Sequence, residues 1–373
     1  MRISDFKVER WLNPRCNGVP HNLGSSCVNA LTVKEFAELT GQKSEDLLNS
    51  IENLDLHYGD FQGLFRLKKA ISKLYKNINP ELILTSHGGT GANTMVMSAF
   101  AEPGKNVVVI TPNYQQHYAF PKSIGVEVRE LRMTKEDGWL PDLTRLKMLV
   151  DKNTCMITMA NPCNPTGTYC GESILREIVR IADSVGAYIL CDEIYRGLDN
   201  FYMPSIVDLY DKGICTSSMS KVFSMAGTRV GWVVTNRRED YEVLENWRSY
   251  NTICEGVFDE MIAAICLENK DKILERSRNI VNENRKIVNE WMKVQPHLKI
   301  YGDSHSSISF VNYDYDISSK EFGEKAYEAG ILVCHGECFE EEKGFRLGYG
   351  WDKPEALKNS LEAFGNFLKT LSD

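Results

Sequence analysis

Lys221 is the residue on which chemistry could turn. It lies in Ser217-Ser218-Met219-Ser220-Lys221-Val222-Phe223-Ser224-Met225-Ala226-Gly227-Thr228-Arg229, with one apolar run at 213–216 before it and another at 230–234 after it. A lysine held between two buried strands is costly unless its charge is used or its pKa is lowered. A desolvated lysine amine is also what an enzyme needs to form an imine with an aldehyde. Arg229 enters the second apolar run, and its planar fork suits two phosphate oxygens at once. A lone lysine is more often a surface loop residue, so the rest of the chain must decide.

Other reactive types fall in a telling order. Tyr114 follows an apolar run at 106–111, Asn161 and Asn164 follow one at 154–159, and Asp192 and Tyr195 follow one at 187–191. Earlier, Gly88-Gly89-Thr90-Gly91 sits between a short apolar run at 82–84 and a helical pattern at 94–100. A glycine-rich turn opening a helix can cradle a phosphate, because backbone N–H groups and the helix dipole face the anion. Glycine-rich turns that only turn are commoner, and this one matches neither a P-loop nor a dinucleotide fingerprint.

Such residues could act together on an aromatic aldehyde carrying a phosphate. Lys221 would form the imine, while Gly89, Thr90, Ser218 and Arg229 would gather round the phosphate. Tyr114 could stack on the ring, and Asp192 could pair with a protonated ring nitrogen and keep the ring an electron sink. Asn164 and Tyr195 could hydrogen-bond a ring hydroxyl. Singly, Asp192 reads as a helix cap, Asn164 as a turn residue and Tyr114 as core. Their shared place after successive strands argues against coincidence.

The elements needed to position them are legible. Short apolar runs alternate with helical segments at 115–124 and 172–185, which predicts an α/β fold with a mainly parallel sheet covered by helices. Ligands of such sheets sit beyond the carboxyl ends of the strands, where these polar residues fall. Helical periodicity also appears at 33–39, 44–51 and 64–75. A long helical stretch, 239–266 continuing through 270–294, bridges to a smaller α+β domain. That domain has strands at 307–311, 331–334 and 345–349 and helices at 318–329 and 354–371. The expected division is a large domain at 45–265 and a small one built from 1–44 and 266–373.

Asn161-Pro162-Cys163-Asn164-Pro165-Thr166-Gly167, Asp192-Glu193-Ile194-Tyr195, Ser218-Met219-Ser220-Lys221 and Gly227-Thr228-Arg229-Val230-Gly231 together resemble the motifs of class I/II aminotransferases. These are fold-type I pyridoxal-phosphate enzymes, and the resemblance covers essentially the whole chain. It implies pyridoxal 5′-phosphate as cofactor, with Lys221 as its covalent anchor and as acid and base for the substrate. It also implies Tyr114 on the ring with His117 as a nearby supporting histidine, Arg346 on the substrate α-carboxylate, Gly24 in the N-terminal loop that closes over substrate, and Asn164 among the substrate-binding residues. Tyr58 resembles the tyrosine that reaches the neighbouring subunit's phosphate, which implies a homodimer with shared active sites. In Gly88-Gly89-Thr90-Gly91 the family often has serine or alanine first, so one side-chain bond to phosphate is expected to be missing.

The implied reaction moves an amino group from an L-amino acid to a 2-oxo acid in a ping-pong cycle. A β-lyase acting on C–S bonds, a cyclase or an oxidase would need the same lysine and sink, so the motifs do not separate them. A dicarboxylic donor is disfavoured, since no second arginine is assignable to a distal carboxylate. Tyr58, Phe61, Tyr114 and Tyr118 suggest an apolar or aromatic side chain.

Composition sets the outer limits. The chain has 373 residues, 43% hydrophobic and 25% charged, with a formal net charge of −8. That is ordinary globular composition and gives nucleic acid no basic surface. A sensing domain on the same scaffold would want a helix-turn-helix ahead of it, and a nicotinamide dehydrogenase a G-x-G-x-x-G; neither is visible. Met1-Arg2-Ile3-Ser4-Asp5 begins no secretory signal, and no run approaches the ~18 apolar residues of a membrane span. With eleven cysteines, the expectation is a cytoplasmic protein whose thiols stay reduced. Cys334-His335-Gly336-Glu337-Cys338 has metal-binding residue types but no matching second pair, and no metal is expected. Glu340-Glu341-Glu342-Lys343 reads as a solvated loop.

Overall fold

The computed structural model describes residues 2–371; Met1, Ser372 and Asp373 of the terminal readings lie outside the described residues. A seven-stranded sheet runs in the order Ile83–His87, Val230–Val234, Gly213–Ser218, Tyr188–Asp192, Thr154–Ala160, Asn106–Thr111, Glu127–Arg132. Six of these strands point the same way, while Val230–Val234 runs antiparallel to both its neighbours. The sheet is α/β and mainly parallel, as expected, with one reversed strand.

Side-chain alternation explains why both faces are covered. Val108 and Ile110 enter one core with Ile189, Cys191, Cys215 and Trp232. Val107 and Val109 enter the other with Leu190, Ile214, Val233 and the Met95, Val96 and Met97 of helix Gly88–Phe100. With both faces packed, the central strands need unbroken apolar runs rather than alternation. Each buried branched side chain contributes about 1.5–3 kcal/mol by area. The edge strand Glu127–Arg132 has only one fully buried residue, Leu131, and carries charges on its open side. Sequence reading missed it because an edge strand suppresses the apolar signal to avoid pairing with other chains.

Two helical expectations need correction. The helix expected at 94–100 begins at Gly88, directly at the end of strand Ile83–His87, so the glycines form its first turn and not a preceding loop. The stretch expected as helical over 239–266 divides into Arg238–Asn251 and Val257–Glu268, and Lys270–Met292 follows as a separate helix. The break falls where Ile253 takes a left-handed φ of 63° ahead of Gly256, a geometry no helix interior accommodates.

A second sheet is antiparallel, with order Cys334–His335, Phe345–Gly348, Ile308–Tyr313, Leu298–Ile300. Phe322, Phe345, Phe364 and Phe367 pack ring against ring beneath it. The N-terminal segment joins this part of the chain. His21–Asn22 pairs in parallel with Ile331–Leu332, and the Trp11 indole donates to the Val333 carbonyl at 2.7 Å. The acidic run is not uniformly solvated, because Glu341 is largely covered and pairs with Arg132 at 2.6 Å. Among the described residues no helix is long and apolar enough to cross a membrane, and no cluster could hold a metal.

Candidate active site

A cavity of about 550 Å³ opens between the carboxyl ends of the large sheet and the wall formed by the N-terminal segment and the second sheet. Strand pairing delivers one side of it. Asp192 ends strand Tyr188–Asp192, Asn164 follows Thr154–Ala160, Tyr114 follows Asn106–Thr111, and Lys221 follows Gly213–Ser218. Adjacent parallel strands bring these ends together, though the residues are far apart in sequence.

Lys221 Nζ donates to Ser26 Oγ at 2.8 Å and lies 3.4 Å from Cys27 Sγ. Burial opposes its ammonium, but the Cys27 thiol and the Tyr195 hydroxyl outweigh that and hold the lysine above its ordinary value. The depressed pKa that burial alone would suggest is therefore not what this arrangement produces. Tyr195 lines the cavity with its side chain buried and its hydroxyl without a hydrogen-bond partner.

Asp192 is held from two sides. Its Oδ2 accepts from Asn93 Nδ2 at 2.8 Å, its Oδ1 from the Ile194 amide at 3.1 Å, and His117 Nε2 stands 3.7 Å from Oδ2. His117 is fully buried, with Nδ1 against Thr158 Oγ1. Asn93 in turn accepts from Thr216 Oγ1 at 2.6 Å. Sequence reading missed Asn93. Its signal was available: a polar residue on the apolar face of the glycine-initiated helix, buried to 1% exposure.

The start of helix Gly88–Phe100 forms an anion-ready corner, since the first N–H groups of a helix lack intrahelical partners. Gly88 has φ +68°, and a Cβ there would lie 2.6 Å from Arg229 Nη2. A Cβ on Gly231 would meet the Gly88 carbonyl carbon at 2.4 Å, and one on Gly89 would meet Ile194 Cδ1 at 3.1 Å. The left-handed φ thus favours glycine at 88, and the close backbone approach requires it at 231. Thr90 and Arg229 are on the exposed rim of the cavity, and Ser218 is buried beside Gly89 with Oγ accepting from the Ser220 amide at 3.2 Å.

The opposite wall supplies Arg346, 2% exposed, from strand Phe345–Gly348. Its Nη1 donates to Asn164 Oδ1 at 3.0 Å and its Nη2 to the Gly24 carbonyl at 2.9 Å, leaving Nε unpaired. Arg346, Asn164 and Gly24 thus meet although they come from three distant parts of the chain. Glu9, Asn13 and Cys16 of the N-terminal segment also line this side, and none was foreseen. Tyr114 Oη donates to Glu9 Oε1 at 2.9 Å, and burial followed by the Glu9 charge raises the Tyr114 pKa.

The expected aromatic mouth is not built. Of Tyr58, Phe61, Tyr114 and Tyr118, only Tyr114 lines the cavity. Tyr118 is buried in the core on the far side of the sheet, and Phe61 is exposed elsewhere. Tyr58 is 65% exposed and outside the cavity of its own chain.

The fold and sequence are similar to those of known proteins. A PLP-dependent aminotransferase from Streptococcus suis 89-1591 superposes with a TM-score of 0.96 and 38% identity, covering 100% of both chains. Capreomycidine synthase of Streptomyces vinaceus is 25% identical over 97% of this chain and 93% of its own length. Nicotianamine aminotransferase 1 of Oryza sativa subsp. japonica is 33% identical, over 43% of this chain and only 33% of that protein. The family model for aminotransferase class I and II matches residues 23–364. With nearly its whole length so matched and its fold that of a PLP-dependent aminotransferase, the chain belongs to the class I and II aminotransferase family.

Proposed function

We propose that the protein transfers an amino group from an L-amino acid to a 2-oxo acid in a ping-pong cycle, with pyridoxal 5′-phosphate bound in the cavity. The observation that carries this reading is the convergence of Lys221, Asp192 and the Arg346–Asn164 pair around one cavity. The residues fit the cofactor. The glycine corner with Arg229 and Ser218 suits a phosphate, the buried unpaired Tyr195 hydroxyl suits a ring oxygen, and Asp192 offers a carboxylate already oriented by Asn93.

Bound cofactor supplies an electron sink conjugated to the donor Cα. Gly89, Thr90, Ser218 and Arg229 would hold its phosphate, and Tyr114 would lie against its ring. Asp192 would hold a proton on the ring nitrogen, and Asn164 with Tyr195 would hydrogen-bond the ring oxygen. Tyr58 of a second subunit would complete the phosphate site, and we propose a homodimer on that ground. Arg346 binds the donor carboxylate through its fork, with Asn164 and the Gly24 carbonyl fixing the guanidinium plane. Lys221 Nζ, once its ammonium has given up a proton, would take the Cα proton and redeliver it, with Ser26 and Cys27 positioning that nitrogen. We propose the division into 45–265 and 1–44 with 266–373, which the two walls of the cavity support. A cytoplasmic location is proposed from the eleven thiols.

The test is the visible absorbance of purified protein with pyridoxal phosphate, before and after a pool of L-amino acids without 2-oxo acid. One equivalent of new 2-oxo acid, with the band shifting and then stopping, supports transfer. Failure of the protein to take up the cofactor would sink the reading. The competing reading is a cyclase, supported by the end-to-end likeness to the PLP-dependent cyclase OrfR, which covers 99% of this chain. It predicts continuous product formation without a second substrate.

A further inference from the structure

We propose that Glu9 selects the substrate side chain, and that the preferred donor carries a cationic group, ammonium or guanidinium, at its far end. This rests on the aminotransferase reading of the cavity and deepens it. The charged residues lining the cavity are Glu9, Asp192, Lys221, Arg229 and Arg346. In that reading Arg229 faces phosphate, Arg346 the α-carboxylate and Asp192 the ring nitrogen, while Lys221 does the proton transfer. Glu9 is the one charge left without a task.

Its setting points to a ligand. Glu9 is half-buried, and among the described residues no ion pair includes it. Tyr114 Oη holds Oε1 at 2.9 Å and so fixes the carboxylate while Oε2 keeps its acceptor capacity. Its neighbours on the same wall, Asn13, Asn17 and Asn22, are neutral amides, and the cavity's cations all have other roles. A dicarboxylic side chain reaching this wall would meet a like charge, and an apolar one would strip water from a carboxylate without replacing its partner. A cationic end group avoids both costs and gains a charge-assisted hydrogen bond.

The test uses carboxylates of matched length, titrated calorimetrically into protein loaded with the amine form of the cofactor, pyridoxamine phosphate, which has no aldehyde for an amine to attack: 6-aminohexanoate, hexanoate and adipate. The expected result is 6-aminohexanoate binding about 10- to 100-fold more tightly than hexanoate, the range of a hydrogen bond to a charged group, with adipate weakest. In Glu9→Gln the ratio of the first two collapses toward one. An unchanged ratio in Glu9→Gln overturns the proposal, as does a wild-type ratio near one or no binding of 6-aminohexanoate. A uniform weakening of all three ligands does so too, because it would mean that Glu9 acts only by placing Tyr114. Discrimination that persists while no amino acid yields a 2-oxo acid would sink the transferase reading and leave the cationic site standing.

Discussion

The two walls of the cavity are built in different ways. On the large-sheet side, Tyr114, Asn164, Asp192 and Lys221 stand at the ends of neighbouring parallel strands, and backbone pairing alone brings them together. On the other side, Glu9, Gly24, Ser26 and Cys27 line the cavity with Arg346, whose guanidinium donates to the Gly24 carbonyl across more than 300 residues of chain. In the proposed reading the first wall holds the groups a pyridoxal-dependent reaction needs and the second holds those that touch the substrate. Chemistry would then be anchored in the rigid core, and selectivity placed where changes disturb the fold least.

This contrast can be broken at its strong end first. Lys221→Ala removes the proton carrier and should lower amino transfer by at least about 10³-fold, within the range for a positioned acid–base group, while thermal unfolding moves little. A residual rate within tenfold of wild type in single-turnover measurements would show that the large-sheet wall is not where protons move.

The second wall should be the acid-sensitive one. Burial, followed by Lys320, Arg15 and Lys7, lowers His335 to about 4. It sits against Trp11, ring centroids 4.6 Å apart and edge to face. The folded pKa is below the unfolded one, so the unfolded chain takes up a proton first as pH falls. The stabilisation is complete above the ordinary value of 6.5 and is lost between there and about 4, amounting to about 3 kcal/mol. Denaturant midpoints followed by tryptophan fluorescence should fall over that window, and His335→Gln should flatten the slope. A slope unchanged by the substitution would locate the acid lability elsewhere.

Arg346→Lys keeps the charge but loses the fork held by Asn164 and Gly24. Its kcat/KM should drop about 100-fold, as for a lost bidentate charged contact. The loss should appear mainly in KM if the contact is made equally in the ground and transition states. Asn93→Ala is the mildest case. It removes one of two bonds orienting Asp192, and about a tenfold loss in kcat is expected, near the upper value for one hydrogen bond. Rescue by Asn93→Ser but not by Asn93→Val would separate positioning from packing.

How much was legible follows the same divide. The parallel strands and the residues ending them could be read because their signal is local: an apolar run and the polar residue after it. Edge strand Glu127–Arg132 hid itself behind charges, and helix Gly88–Phe100 began in glycines that read as a turn. The residue type of Tyr118 suits a cavity mouth, yet helix Gln116–Ser123 turns it into the opposite core.

By itself, the sequence determined the α/β alternation, the strand-end chemistry around Lys221 and Asp192, and, through motif resemblance, the family. Only the tertiary structure decided that a six-residue helix, Lys7–Leu12, lays Glu9 beside Tyr114, that Asn93 braces Asp192, and that Tyr58 lies outside its own chain's cavity. The reason is physical. Strand and helix signals arise from hydrogen bonding and burial within a few residues, whereas a wall assembled across 300 residues is selected by packing energy that no local pattern records.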